Sequence, residues 1–215
     1  MYKRQSLDSL QAPRFKVITR TGDLDRVLEG IDAAIAQGID RIRLNVVVLD
    51  GLNRDEVLPL TQFALAKNIH ISFIEEMPLG QVNVGGKPLA YVSSDALHAE
   101  LSEHFCLEPL SAEETSGPSR DYLISGSTTR VGFISPHSNN FCTQCNRLRI
   151  SAEGRLLMCL GNEESIDLRR LLRSDYSDDE IKTAIIDSLT IKPERHVFDS
   201  PDEPQIVRFM NATGG

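Results

Sequence analysis

A chain of 215 residues, 40% hydrophobic and 25% charged, has the make-up of an ordinary globular protein with room for one large core or two modest ones. Its net charge of -8 argues against a broad nucleic-acid-binding surface without forbidding a local basic pocket. The longest uninterrupted apolar run, Val46 to Leu49, is far too short to cross a bilayer, and no secretory-type stretch opens the chain, so the expected compartment is the cytoplasm.

The first residues read as the end of a strand and the loop after it, Ser6-Leu7-Asp8-Ser9-Leu10. Only five residues precede them. Met1-Tyr2-Lys3-Arg4-Gln5 matches one reading frame of a transposon-end adapter used in sequencing libraries, so residues 1–5 are expected to be a non-native leader on a protein that extends further N-terminally.

Residues 22–80 alternate helix and strand. Leu24, Val27, Leu28, Ile31 and Ile35 recur at helical spacing, and Gly38 stops that helix. Arg41 to Leu49 reads as a β-branched strand. Asn53, with Glu56 three residues on, reads as a variant capping box for a second helix that contains Leu58, Leu60, Phe63 and Leu65. Ile69 to Ile74 is the next strand. Strands bridged by helices imply right-handed parallel crossovers, in an α/β barrel or a doubly wound sheet. In the strand 42–47, alternation puts Arg43 and Asn45 on one face and Ile42, Leu44 and Val46 on the other. Because parallel strands are usually covered on both faces, Arg43 either reaches solvent at a strand end or faces a polar cavity.

Residues 81–95, with Gly85-Gly86-Lys87-Pro88, read as a loop whose glycines are too few for a nucleotide-binding loop. A short helix follows over 95–104, then a linker over 111–121 and strand-like runs at 122–124 and 130–134. The composition shift near 105–120 is the expected domain boundary.

The chemistry concentrates in Cys142-x2-Cys145-x13-Cys159. In a reducing compartment such thiols read as metal-binding or redox before they read as a disulfide. Cys142 and Cys145 can grip one metal from a tight turn, and Cys159 is expected on a strand after the turn at Glu153-Gly154. Zinc with His137 as fourth ligand and an iron–sulfur cube with one iron left open both fit this spacing. Cys106, between apolar residues, reads as a small buried hydrophobe without a role. Arg147 and Arg149 alternate along an expected strand beside the cysteines, and guanidinium forks there predict an anionic ligand such as a phosphate.

Three stretches carry a resemblance: Gly132-Phe133-Ile134-Ser135-Pro136-His137; Phe141-Cys142 through Cys145-Asn146-Arg147-Leu148-Arg149; and Gly154-Arg155-Leu156-Leu157 through Cys159-Leu160-Gly161. With Phe73 to Gly80, Lys192-Pro193-Glu194-Arg195-His196 and the closing Gly214-Gly215, the chain resembles the GTP 3′,8-cyclase (MoaA) family of radical S-adenosylmethionine enzymes almost continuously from residue 6 to 215. The resemblance implies a (β/α) barrel of the TIM type, incomplete here over 6–104. It implies a C-terminal cluster and GTP-binding region over 105–200 and a tail over 201–215.

For the full-length family the resemblance further implies two [4Fe–4S] clusters. One, in a Cys-x3-Cys-x2-Cys motif, binds S-adenosylmethionine and generates a radical. GTP is thereby converted to (8S)-3′,8-cyclo-7,8-dihydroguanosine 5′-triphosphate in molybdenum cofactor biosynthesis. By residue matching, Cys142, Cys145 and Cys159 hold the second, substrate-binding cluster. Arg43 (usually Lys in the family), Arg147, Leu148 and Arg149 line the GTP site, Ser6 and Met77 contact S-adenosylmethionine, and Gly214 and Gly215 act in catalysis. Expected partners are GTP and S-adenosylmethionine, with no nucleic acid or membrane, in a monomer or homodimer. No Cys-x3-Cys-x2-Cys occurs in this sequence, so the chain reads as a fragment of the cyclase that does not initiate the reaction by itself.

Overall fold

The computed structural model describes residues 2–77, 83–84, 87–88, 91–111 and 117–196. The expected catalytic tail, Gly214 and Gly215 included, lies outside the described residues. The chain divides into two compact units, Met1–Glu76 with Val84–Asn139 and Met77–Asn83 with Asn140–Gly215.

The first unit is mixed α/β. Strands β1 (Tyr2–Ser6), β2 (Arg41–Val48) and β3 (His70–Glu75) pair in parallel, linked by helices α1 (Ala12–Thr19), α2 (Leu24–Ala36) and α3 (Val57–Ala66). The two-residue strands β4 (Asn83–Val84) and β5 (Lys87–Pro88) pair with each other, and α4 (Ser94–Ser102) follows. Strands β6 (Leu107–Pro109), β7 (Ser119–Ile124) and β8 (Arg130–Ile134) complete the six-stranded sheet in the order β1-β2-β3-β8-β7-β6. Strand β8 runs parallel to β3, whereas β7 and β6 are antiparallel additions. The stretch 105–120, where the composition shifts, thus leads into the main sheet, and the two units divide after Asn139.

Strand β2 alternates as its sequence requires. Ile42, Leu44, Val46 and Val48 are buried, each contributing roughly 1.5–3 kcal/mol, while Arg43, Asn45 and Val47 face the other side half-buried. Leu60 and Ala64 of α3, Leu97 and Leu101 of α4, and Ile71, Phe73 and Phe133 join that core. Asp23 caps α2 by accepting from the Arg26 amide, and Gly38, at φ +70°, follows its end.

The reading of Asn53 as a helix cap is corrected. Its side chain makes no cap bond. It accepts from the Leu49 amide at 2.9 Å and donates to the carbonyls of Asp8 and Val47, each at 2.9 Å, stitching the loop after β1 to the end of β2. Glu56 likewise turns away, accepting from the Ser9 hydroxyl and Leu10 amide at 2.6 Å each and pairing with Arg14. Buried polar groups beneath the loop out-compete the local cap.

The second unit contains a three-stranded antiparallel sheet, β9 (Arg149–Ile150), β10 (Arg155–Leu157) and β11 (Ser165–Asp167), in the order β11-β10-β9. Helices α5 (Leu168–Arg173) and α6 (Asp178–Ser188) follow. Ser177 and Glu180 form a full capping box on α6. Among the described residues Leu156, Met158 and Leu168 make a core cluster, with Ile166, Ile181 and Ile185 against it. Gly154 holds the β9–β10 turn at φ +80°, where a Cβ would lie 2.6 Å from the Cβ of Arg169. No helix of the described residues is long and apolar enough to cross a membrane.

Candidate metal centre and the polar ends of the sheet

The cysteine segment begins in a 3-10 turn, Cys142–Gln144, opened by the Asn140 side chain accepting from the Cys142 amide at 2.8 Å. The Cys145 amide closes it onto the Cys142 carbonyl at 3.0 Å. From there the chain runs through residues 146–148, outside any strand, into β9. Only Arg149 of the two arginines is in a strand; Arg147 is exposed and precedes it. The expectation that both alternate along one strand is corrected accordingly. Cys159 also lies past its strand, two residues beyond the end of β10.

All three thiols are half-buried. Burial, and then the charges of Cys142 and Cys145, push the Cys159 thiol above its usual range, while the Gly161 amide and Lys192 oppose the shift. Cys159 thus lies within electrostatic reach of Cys142 and Cys145. Backbone and ammonium donors converge on them: the His196 amide donates to Cys142 Sγ at 3.4 Å, and Lys192 Nζ stands 3.9 Å from Cys145 Sγ. Among the described residues no three His, Cys, Asp or Glu side chains stand close enough to share a single metal ion. A lone tetrahedral zinc, with Zn–S of about 2.3 Å, would draw its sulfurs to about 4 Å from one another. His137 belongs to the other unit, where its Nε2 meets the Glu76 carbonyl at 2.8 Å and its ring packs at a tilt against Tyr91 with centroids 5.1 Å apart. Cys106, expected buried, is exposed, in the turn between α4 and β6.

In the sheet unit, Arg43 is not at a solvent-facing strand end: its side chain is only 12% exposed and lies among polar partners. Its guanidinium fork grips the Asp121 carboxylate, at 2.8 Å from Nη1 and 2.5 Å from Nη2, and Nη1 also donates to Ser72 at 3.0 Å. Burial alone would weaken both charges, yet the paired bonds hold Asp121 below the usual carboxylate range and Arg43 above its own. Gly132 makes room for this pair: a Cβ there would sit 2.4 Å from Asp121 Oδ1 and 2.2 Å from the Ser119 hydroxyl. Burial and then the Arg43 and Arg130 charges lower the neighbouring His70 to about 4, and its Nδ1 accepts from the Arg130 amide at 3.2 Å.

The C-terminal ends of parallel strands, where ligands bind in open α/β sheets, carry the densest polar network. Ser6 ends β1, exposed, and Asp8 beyond it accepts from the Val47 amide at 2.8 Å; burial raises Asp8 to about 6. Glu75, at the end of β3, is buried. It accepts from the amides of Ser94, His137 and Ser138 at 2.8, 2.9 and 3.0 Å, and from the Ser138 hydroxyl. Burial pushes its pKa up, but these donors prevail and hold the carboxyl below its usual range. Met77 follows this strand, half-buried.

Sequence reasoning missed Lys192, Asp121 and Glu75. Asp121 lies in a segment that read as linker, and Glu75 sits beside a second glutamate at a strand end, a signal that could have marked it. Lys192 stands out only as the first residue of the Lys192–His196 stretch, without a role.

Residues 69–198 match the model of the family described as Molybdenum Cofactor Synthesis C. The chain is 51% identical over 211 residues to a GTP 3′,8-cyclase of Marinobacter nauticus, covering 98% of this chain and 64% of that protein. It is 53% identical over 212 residues to a GTP 3′,8-cyclase of Pseudomonas putida, and 50% identical over 211 residues to GTP 3′,8-cyclase 2 of Pseudomonas aeruginosa. Each of those matches covers 98% of this chain and 63% of the relative, so the chain spans a little less than two thirds of the length of these curated relatives.

Proposed function

This chain belongs to the Molybdenum Cofactor Synthesis C family, and on that premise we propose that it carries the substrate-binding part of a GTP 3′,8-cyclase. GTP and S-adenosylmethionine are its small-molecule partners on this reading, in a molybdenum cofactor pathway. The observation that carries the reading is the set of three half-buried thiols, with an amide aimed at Cys142 Sγ and an ammonium beside Cys145 Sγ.

The donor set fits a [4Fe–4S] cluster held by Cys142, Cys145 and Cys159. Thiolates are the ligands such clusters take, and hydrogen bonds to sulfur are how proteins tune them. When bound, the cluster supplies an iron with an open position to the guanine base. The remaining work falls to side chains of this chain. Arg147 and Arg149, flanking Leu148, offer guanidinium groups for the triphosphate, each charge-assisted bond contributing roughly 1.5–3 kcal/mol. Arg43 is a further GTP contact on this reading; with its fork committed to Asp121, it acts through its positive field or after exchanging that partner.

Ser6 and Met77 contact S-adenosylmethionine, which a second [4Fe–4S] cluster, whose motif is absent from this sequence, would bind for cleavage. The parallel strands β1, β2, β3 and β8 are then part of a radical S-adenosylmethionine barrel. Gly214 and Gly215 contribute backbone to the reaction site, unobstructed by side chains.

Anaerobic reconstitution is expected to give about four iron and four sulfide per chain. Arg147→Ala or Arg149→Ala is expected to weaken GTP binding about tenfold with iron content unchanged. Stoichiometric zinc without sulfide overturns the cluster, and GTP affinity unchanged in both variants overturns the arginine assignment.

A further inference from the structure

Lys192 lies where α6 gives way to a 3-10 turn, Leu189–Ile191, and its own amide closes that turn onto the Leu189 carbonyl at 3.1 Å. Pro193 follows directly and fixes the direction in which the chain leaves. An ammonium has three donors and no acceptor, and all three are accounted for here. Lys192 Nζ donates to the Met158 carbonyl at 2.7 Å and to the Arg147 carbonyl at 3.0 Å, and it stands 3.9 Å from Cys145 Sγ.

These acceptors are not scattered. Met158 immediately precedes Cys159, and Arg147 is two residues past Cys145. Between them run β9, the Gly154 turn and β10, so a single side chain ties the two arms on which the sulfurs are mounted. Four residues on, the His196 amide reaches Cys142 Sγ. The segment 192–196 therefore touches both members of the Cys-x2-Cys pair, and carries a fixed positive charge to one of them.

We infer that Lys192 is a positioning residue of the cysteine centre: it clamps the Arg147 and Met158 arms together and sets a counter-charge beside Cys145. The inference rests on the reading of the three cysteines as ligands of an iron–sulfur cluster. With its donors spent on two carbonyls and a sulfur, Lys192 is not a triphosphate ligand. Its charge offsets the negative charge that thiolates gather in a half-buried site, and that charge grows on reduction. Removing it makes the reduced cluster harder to reach, so the midpoint potential falls. Removing the clamp also frees two carbonyls and lets the arms part, so the cluster is lost faster.

Arginine separates the two effects. It keeps the charge but presents a planar fork in place of a point donor, so Lys192→Arg is expected to keep the potential while recovering only part of the cluster retention.

The test uses the full 215-residue chain, wild type, Lys192→Met and Lys192→Arg. Three measurements are made: iron retention under chelator, midpoint potential, and hydrogen exchange of peptides spanning 145–149 and 155–160 in the iron-free protein. Lys192→Met is expected to lose iron about tenfold faster, to titrate at a more negative potential, and to exchange faster in both peptides. A potential unchanged in Lys192→Met overturns the proposal whatever the exchange does, because a merely structural lysine moves exchange and retention alone. If the wild type takes up no iron, the failure belongs to the cluster reading. The iron-free exchange then decides the clamp, and equal exchange in wild type and Lys192→Met overturns it.

Discussion

In the sheet unit an apolar core runs from Leu7 across β2 and β3 to Phe133, whereas among the described residues of the cysteine unit a small cluster joins Leu156, Met158 and Leu168. The polar groups differ in parallel. Arg43 with Asp121, and Glu75 with its four donors, are paired within the sheet unit, although Arg43 Nε is buried without a hydrogen-bond partner among the described residues. The cysteine unit leaves Ile150, Leu172 and Ile186 largely exposed and gathers its converging donors at sulfur. One unit contains what it needs to hold its shape. On the proposed reading the other leans on its metal group, as small domains do in which binding free energy is folding free energy.

The largest effect should come from removing the centre itself. Chelation of iron, or Cys145→Ser, is expected to bring amides of β9, β10 and α5 close to free exchange while β2 and β3 keep their protection. Peptide-resolved hydrogen exchange makes the comparison directly. Equal protection of both units without iron would break the contrast and return stability of the cysteine unit to its own packing.

Next in size is the buried ion pair of the sheet unit. Arg43→Met leaves the Asp121 carboxylate buried without its partner, at a cost of roughly 3–5 kcal/mol. The double variant Arg43→Met, Asp121→Leu should recover most of that in denaturant unfolding, since the pair can be replaced by apolar side chains of similar size. A double variant no better than the single would show that the surrounding serines need the pair for their own hydrogen bonds.

Much of this contrast could be read in advance. The period of β2 and the helix over 24–36 follow from residue spacing, because burial on alternating faces is a local rule. What escaped depends on long-range partners. Asn53 and Glu56 have the spacing of a cap, but a loop 46 residues earlier in the chain offers Leu10 N–H to Glu56 and so takes it away. Helix α1 has no side-chain cap and a weak apolar period, and only Phe15 is buried in it. Arg43 was narrowed to solvent or a cavity because Asp121, its partner, lies 78 residues on. Lys192 is legible only once the cysteine arms are folded against it.

A smaller effect is expected at Glu75. Glu75→Gln keeps the size but replaces one acceptor oxygen by an NH2 that faces N–H groups, and is expected to cost about 2 kcal/mol, within the range for a lost charge-assisted bond. The cost should appear at the start of α4 and at residues 137–138, seen as amide shift changes. If thermal unfolding of Glu75→Gln matched wild type, the glutamate would have no role in joining those segments.

The smallest effect is a cancellation inside the sheet unit between two groups that titrate in one window with opposite signs. Asp8 is raised from 3.8 to about 6 by burial, so its contribution is fully present below pH 3.8 and is lost as pH rises through about 6. His70 is lowered from 6.5 to about 4, chiefly by burial, so its contribution is present above pH 6.5 and is lost as pH falls through about 4. Between about pH 6.5 and 4.5, acidification therefore strengthens the fold through Asp8 and weakens it through His70. Discounted for solvent screening at these partly exposed positions, each amounts to about 1 kcal/mol, and wild-type stability should be nearly flat across the window. Asp8→Asn fixes that site neutral and exposes the histidine, so stability should fall on acidification. His70→Asn removes the imidazole and exposes the aspartate, so stability should rise over the same range. Denaturant midpoints at half-unit pH steps distinguish the three curves. Parallel curves for all three proteins would mean that neither group changes its protonation on folding, and that the burial of Asp8 and His70 is relieved by water.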